Sequence, residues 1–137
     1  MANTEMTDAK IIILEALQRV GQSVTALLDS DSVLKAVVDA ALELTHAEES
    51  SLLLLDDATG ELYMRASRNF HEDFVKTFRL PLRDSLPGQV LRSGKPLLIN
   101  ADTPRKIMAA YLVYSLIYVP LIVKGRMIGV LGVDNRK

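Results

Sequence analysis

The sequence predicts an α+β domain built on a mainly antiparallel sheet, and three patterns carry that expectation. Near the C-terminus, two apolar runs, 115–123 and 126–133, flank the short polar break Lys124-Gly125. That is the signature of a tight hairpin between β-branched strands. A second hairpin pattern, 51–67, turns at Asp56-Asp-Ala-Thr-Gly60. Ahead of both, residues 8–46 show helical rather than strand periodicity. Helices first, then strands at both ends of the remaining chain, is the order of an α+β fold rather than of repeated βαβ units.

The first element is a helix over 8–28. Ile13, Leu17, Val20, Val24 and Leu27 fall at spacings of 4, 3, 4 and 3, a heptad seam. Ile12, Leu14 and Leu28 widen it. Two readings stay open: the stripe packs on its own domain, or part of it meets the same stripe of a second chain and makes a homodimer. Asp29-Ser-Asp-Ser32 then offers N-caps, Ser30 or Asp31, for a helix over 32–46. Its apolar face is Val33, Val37, Ala41 and Leu44.

Ser51 to Asp56 is a strand-length apolar run, and 61–67 resumes after Gly60, the position suited to positive φ. Leu62, Met64 and Ala66 alternate with Tyr63, Arg65 and Ser67, so this strand has one dry and one wetter face and lies nearer an edge. Phe70, Phe74 and Phe78, all the phenylalanines of the chain, fall at intervals of four. This spacing predicts a helix within 68–82 whose rings plug a core or line a cavity. Next come a loop over 80–88, a helical turn or two at 89–92 stopped by Ser93-Gly94, and a short strand 96–99. Residues 105–114 read as a short helix leading into the last hairpin. Within that hairpin, Pro120 predicts a bulge or an unpaired edge position, and Gly129 and Gly132 predict close approach of another group.

Composition excludes several functions. The 137 residues suit one domain, 1–137, with a core over 30–136. Sixteen Lys and Arg against 17 Asp and Glu give a net charge of −1, with no basic stripe for nucleic acid. There is no cysteine, hence no disulfide, thiolate site or thiol catalysis. The start is polar and acidic, unlike a signal peptide, and no apolar run reaches membrane length. The expected setting is cytoplasmic, as one domain of a longer protein with output domains elsewhere.

No catalytic motif survives inspection. Gly88 to Gly94-Lys95 is one residue too long for a phosphate loop, and Pro96 stands where its Ser or Thr is needed. Gly125, Gly129 and Gly132 do not have dinucleotide spacing and lie in a strand. His46 and His71 lie far apart without a carboxylate pattern, so no zinc site or triad is legible. Asp56-Asp57 reads as a hairpin loop. The expectation is a non-enzyme without cofactor or metal.

Three segments together resemble a GAF domain: Ala47-Glu-Glu-Ser-Ser-Leu-Leu-Leu-Leu-Asp56 with Thr59-Gly-Glu-Leu-Tyr63; Leu86-Pro-Gly-Gln-Val-Leu-Arg-Ser-Gly-Lys-Pro-Leu-Leu-Ile99; and Ser115-Leu-Ile-Tyr-Val-Pro-Leu-Ile-Val-Lys-Gly-Arg-Met-Ile-Gly-Val-Leu131. The resemblance implies a five- or six-stranded antiparallel sheet. N-terminal helices would pack on one face, and short helices and loops would close a small-molecule pocket on the other. It also implies a regulatory role in signal transduction and pairing through flanking helices. Members that attach bilins or reduce free methionine sulfoxide work through cysteine, which this chain lacks, and the cyclic-nucleotide motif is not found. The residues expected to bind a ligand are Arg68, Phe70, Phe74, Phe78, Tyr111, Tyr114, Ser115 and Tyr118, with Arg68 and Ser115 as polar anchors. Those expected at a dimer interface are Ile13, Leu17, Val20, Val24 and Leu27.

Overall fold

A computed structural model describes residues 10–12, 28–108 and 111–136. Its elements in chain order are α1 (Asp31–Thr45), β1 (Glu49–Asp56), β2 (Glu61–Arg68), α2 (Glu72–Thr77), β3 (Arg79–Pro81), α3 (Leu86–Ser93), β4 (Leu97–Met108), β5 (Tyr111–Val123) and β6 (Arg126–Asn135). The strands form one six-stranded sheet in the order β3-β2-β1-β6-β5-β4, with antiparallel neighbours throughout.

The C-terminal hairpin forms as its composition predicts. Val123 pairs with Arg126 around the two-residue turn. Lys124 and Gly125 both take positive φ, 52° and 77°, the backbone of a type I′ turn whose twist matches that of the strands. Pro120 lies where β4 no longer accompanies β5, since their pairing begins at Leu97–Tyr118. On that side there is no strand to receive an N–H, while on the other Pro120 keeps Val130 of β6 as its register partner. The strand irregularity falls one residue later, between Leu121 and Ile122. Gly129 and Gly132 sit at close approaches: an added Cβ would lie 2.2 Å from the Leu53 carbonyl oxygen and 2.5 Å from the Tyr118 ring, respectively.

Each face of the sheet has its own core. On one side, α1 is capped by Ser30, whose hydroxyl accepts from the Val33 N–H. It buries Leu34 and Val38 against Leu52 and Leu54 of β1. Burying side chains of this size stabilises by about 1.5–3 kcal/mol each. Ser50 ties helix to sheet by donating to the Val38 carbonyl at 2.8 Å. The opposite face carries the larger core, in which Leu53, Leu62, Val90, Val113, Leu116 and Val130 meet on the side covered by α2 and α3.

Two expected helices are corrected. Residues 105–114 are not helical: β4 runs to Met108 and β5 starts at Tyr111. Tyr111 and Val113 are buried while Leu112 is exposed, which is strand alternation. The strand 96–99 is therefore the start of a much longer one. Its turn-rich stretch 101–104, including Pro104, fits because it lies between the pairs Asn100–Ser115 and Arg105–Val113 and has no register partner. The helix expected within 68–82 shrinks to Glu72–Thr77, with Phe70 ahead of it and Phe78 as its extended C-cap. Pro81 disfavours helix at Leu80, and Leu80 pairs with Leu62 instead. In the loop expected over 80–88, α3 starts at Leu86, with Pro87 in its first turn and Ser85 as N-cap. It ends at Gly94 with φ 68°.

The cover expected over both sides of the last hairpin is incomplete among the described residues. Ile117 alternates with the buried Leu116 and Tyr118, so it points to the α1 side, and there it and its partner Leu98 are 37% and 72% exposed. Ile13, Leu17, Val20, Val24 and Leu27, expected at a dimer interface, lie outside the described residues.

Candidate functional site

Opposite α1, one end of the sheet assembles aromatic rings around a pair of acids. The rings come from the 70–78 segment and from β5. His71 caps α2 by accepting the Asp73 N–H at its Nδ1, 3.2 Å away, which turns the short helix so that Phe70 and Phe74 stack at 5.6 Å. Phe78 follows at 5.8 Å from Phe74 and is buried. Tyr111 meets Phe70 and Phe74 edge-on, each at 5.5 Å, and Phe78 at 6.5 Å. Such pairs contribute about 0.5–1.5 kcal/mol beyond the area they bury. Tyr118 lies deeper and is fully buried.

The acids come from β1 and β6. Glu49 and Asp134 are register partners, both buried, and their carboxyls share the ring-bearing side. The Tyr111 hydroxyl donates to Asp134 Oδ2. Asp134 Oδ1 is buried with no hydrogen-bond partner. Arg136, the next residue of the same parity, donates from Nε to Glu49 Oε1 at 2.8 Å. Its guanidinium lies 4.9 Å from the centre of the Tyr111 ring and 5.5 Å from those of Phe70 and Phe74, within cation–π range.

Burial pushes the Asp134 carboxyl up to about 8; the neighbouring Glu49 adds to the rise, while the Tyr111 hydroxyl and Arg136 oppose it. A proton there turns an acceptor into a donor within reach of Glu49, which answers the unpartnered oxygen. Burial also drives the Tyr111 and Tyr118 hydroxyls far above the usual tyrosine range, so both stay protonated.

Of the residues expected to bind a ligand, Phe70, Phe74, Phe78, Tyr111 and Tyr118 come together here. Arg68 does not join them: its Nη1 donates to Asp39 of α1 at 2.7 Å. Tyr114 is half-buried on β5. Ser115 accepts from Asn135 Nδ2 at 2.9 Å and lines a groove of about 320 Å³ with Thr45, Leu98 and Ile117. A second, apolar groove of about 160 Å³ runs between Val33, Val37, Leu121 and Ile128. Sequence reasoning missed Glu49, Asp134 and Arg136. The signal was parity: Val130, Gly132 and Asp134 alternate along β6 and Arg136 falls two places on, so two ionisable residues continue the pattern of its buried face. Among the described residues no cluster of His, Asp or Glu could hold a metal ion, and no helix is long and apolar enough to cross a membrane.

This sheet, with its helix on one face and ring-lined site on the other, is the GAF architecture. The GAF domain model matches residues 28–137, and the chain belongs to that family. No curated protein matches it in sequence. Among solved structures it is similar to the GAF domain of a phosphoenolpyruvate-protein phosphotransferase from Coxiella burnetii, with a TM-score of 0.69, 21% identity, and coverage of 96% of this chain and 79% of that one. It is similar to a free methionine-R-sulfoxide reductase from Neisseria meningitidis, solved with its substrate, with a TM-score of 0.66, 22% identity, and coverage of 93% and 73%. It is also similar to the second GAF domain of DevS from Mycobacterium smegmatis, with a TM-score of 0.63, 23% identity, and coverage of 76% and 72%. At these identities the likeness is one of fold.

Proposed function

We propose that this GAF domain is a regulatory sensor in a cytoplasmic signal-transduction chain, binding a small molecule on the ring-bearing face and passing the event on through its helices. One observation carries the reading. Two buried acids, Glu49 and Asp134, with the Tyr111 hydroxyl on Asp134, lie beneath the partly buried rings of Phe70 and Phe74. Ligand sites are mostly apolar with a few placed polar groups, and this end of the sheet has that make-up. The fold hosts such roles elsewhere: one similar structure is the substrate complex of a reductase, and another is an NreA protein mutated in its nitrate binding site. The reading is non-catalytic: the chain has no cysteine, and its sequence carries no legible nucleophile-and-base motif. Native mass spectrometry of the purified domain tests it. A retained small molecule, lost on Asp134→Asn or Phe74→Ala, is the expected result. If no metabolite is retained and none from an extract moves the Phe70, Phe74 or Tyr111 resonances, the sensory reading falls.

A second reading, a dimerising module that needs no ligand, is favoured by the heptad seam Ile13 to Leu27 together with the exposed Leu98 and Ile117. Leu17→Glu with Val20→Glu should then give a folded monomer by sedimentation. A parent that is already monomeric refutes it.

A further inference from the structure

The ring-bearing site already holds a positive charge. Arg136 places its guanidinium within 5.5 Å of three ring centres at once while its Nε bonds Glu49. That is a cage rather than a single contact: aromatic faces and edges on one side, two acidic side chains on the other. Arg136 is also the least constrained member of the site. It follows Asn135, the last residue of β6, which pairs with Ser115, and its side chain remains 36% exposed. Swinging it out gives up the Glu49 bond and the ring contacts from a partly exposed position, whereas the Glu49, Tyr111 and Asp134 side chains are buried.

We infer that this site takes a small organic cation, carrying an ammonium or guanidinium group, and that Arg136 occupies it in cis until such a cation displaces it. The charge pattern selects the class. An anion entering there would face the Glu49 side chain that now pairs with Arg136, and a neutral molecule would forgo both the cation–π contact with the rings and the ion pair with Glu49. Displacement would free Arg136 at the point where the chain leaves β6, which links occupancy to whatever follows the sheet. The inference rests on the sensory reading above and names its ligand class.

The test is titration of the full chain with ethylguanidinium, tetramethylammonium and, as neutral control, ethylurea, at matched ionic strength, followed by the ring resonances of Phe70, Phe74 and Tyr111. Both cations should saturate and ethylurea should not. Removing the internal competitor with Arg136→Met should tighten cation binding about tenfold, and Glu49→Gln should weaken it by a similar factor. The wild-type titration needs no variant, so a poorly folded Arg136→Met leaves the test intact. Equal responses to ethylurea and the cations, or an Arg136→Met protein that binds cations no better than wild type, would overturn the inference. An anionic or neutral metabolite that moves the same resonances while both cations leave them unmoved would sink the cation assignment and leave the sensory reading standing. Resonances that nothing moves would sink both.

Discussion

Glu49 and Asp134 face each other across β1 and β6, so two carboxyl groups share one buried end of the sheet. Two adjacent ionised acids there would repel, and burial penalises each charge. The Asp134 carboxyl therefore holds its proton to about pH 8, against about 4 in an unfolded chain. The sign follows from proton counting. Between those values the folded state binds the extra proton, so its contribution to stability is fully present below about pH 4 and is lost as pH rises through about 8. The other groups facing Asp134 are Arg136, Tyr111 and Tyr118, and both phenols stay neutral across this range. Thermal melts should show Tm falling by several degrees from pH 5 to pH 9. Asp134→Asn, which keeps an acceptor for Tyr111 and a donor for Glu49, should flatten that slope. An equally steep slope in the variant would refute the assignment.

Tyr111→Phe tests the same cluster from the other side. The ring stays among Phe70, Phe74 and Phe78, but Asp134 Oδ2 loses its donor while Oδ1 already has none. The expected cost is about 1–3 kcal/mol in denaturant unfolding at neutral pH. Because the tyrosine hydroxyl holds the Asp134 carboxyl down, the carboxyl should titrate still higher in the variant. Carbon-13 NMR of the Asp134 side chain reads that shift directly.

Gly132 and Gly129 separate two kinds of close contact. A methyl at Gly132 meets the Tyr118 ring at 2.5 Å and the Ser51 Oγ at 3.2 Å; at Gly129 it meets the Leu53 carbonyl oxygen at 2.2 Å. The ring is fully buried but belongs to a side chain, whereas the carbonyl belongs to the neighbouring strand's backbone. Gly132→Ala should cost about 1–3 kcal/mol by overpacking. Gly129→Ala should cost more, since β1 and β6 must part to admit it. Equilibrium unfolding of both variants checks the order, and Gly132→Ala should also shift the Tyr118 ring resonances.

How far the sequence could be read depended on whether a local signal matched the tertiary setting. The last hairpin was legible because its turn chemistry and strand composition agree. Residues 105–114 were not: Ile107, Met108, Tyr111 and Leu112 satisfy helical spacing as well as strand spacing, and only the pairing of β4 with β5 decides between them. The aromatic half of the site was visible because Phe70, Phe74, Phe78, Tyr111 and Tyr118 are rare residues set close together. Its acidic half was hidden, since Glu49 and Asp134 lie 85 positions apart and meet only through strand order. Arg68 reads as an anchor from its place beside Phe70, yet it ends on the opposite side because it pairs with Asp39 of α1.

The turn itself offers a substitution expected to stabilise. Lys124 carries φ 52°, a left-handed conformation that crowds Cβ against the following carbonyl oxygen and that asparagine tolerates better. Asn-Gly is the preferred pair for a type I′ turn, and an added Cβ at Gly125 would meet nothing within 4 Å, so backbone conformation alone governs the site. Lys124→Asn should raise stability by about 0.5–1 kcal/mol, and Gly125→Ala should lower it by about 1 kcal/mol through its φ of 77°. The turn lies at the opposite end of β6 from Asp134 and Arg136, so neither change should alter the pH slope of unfolding or the binding of a cation. A Lys124→Asn protein that melts below its parent would mean that the lysine side chain makes a contact the turn geometry does not reveal, and the hairpin's stability would then have to be argued from that contact instead.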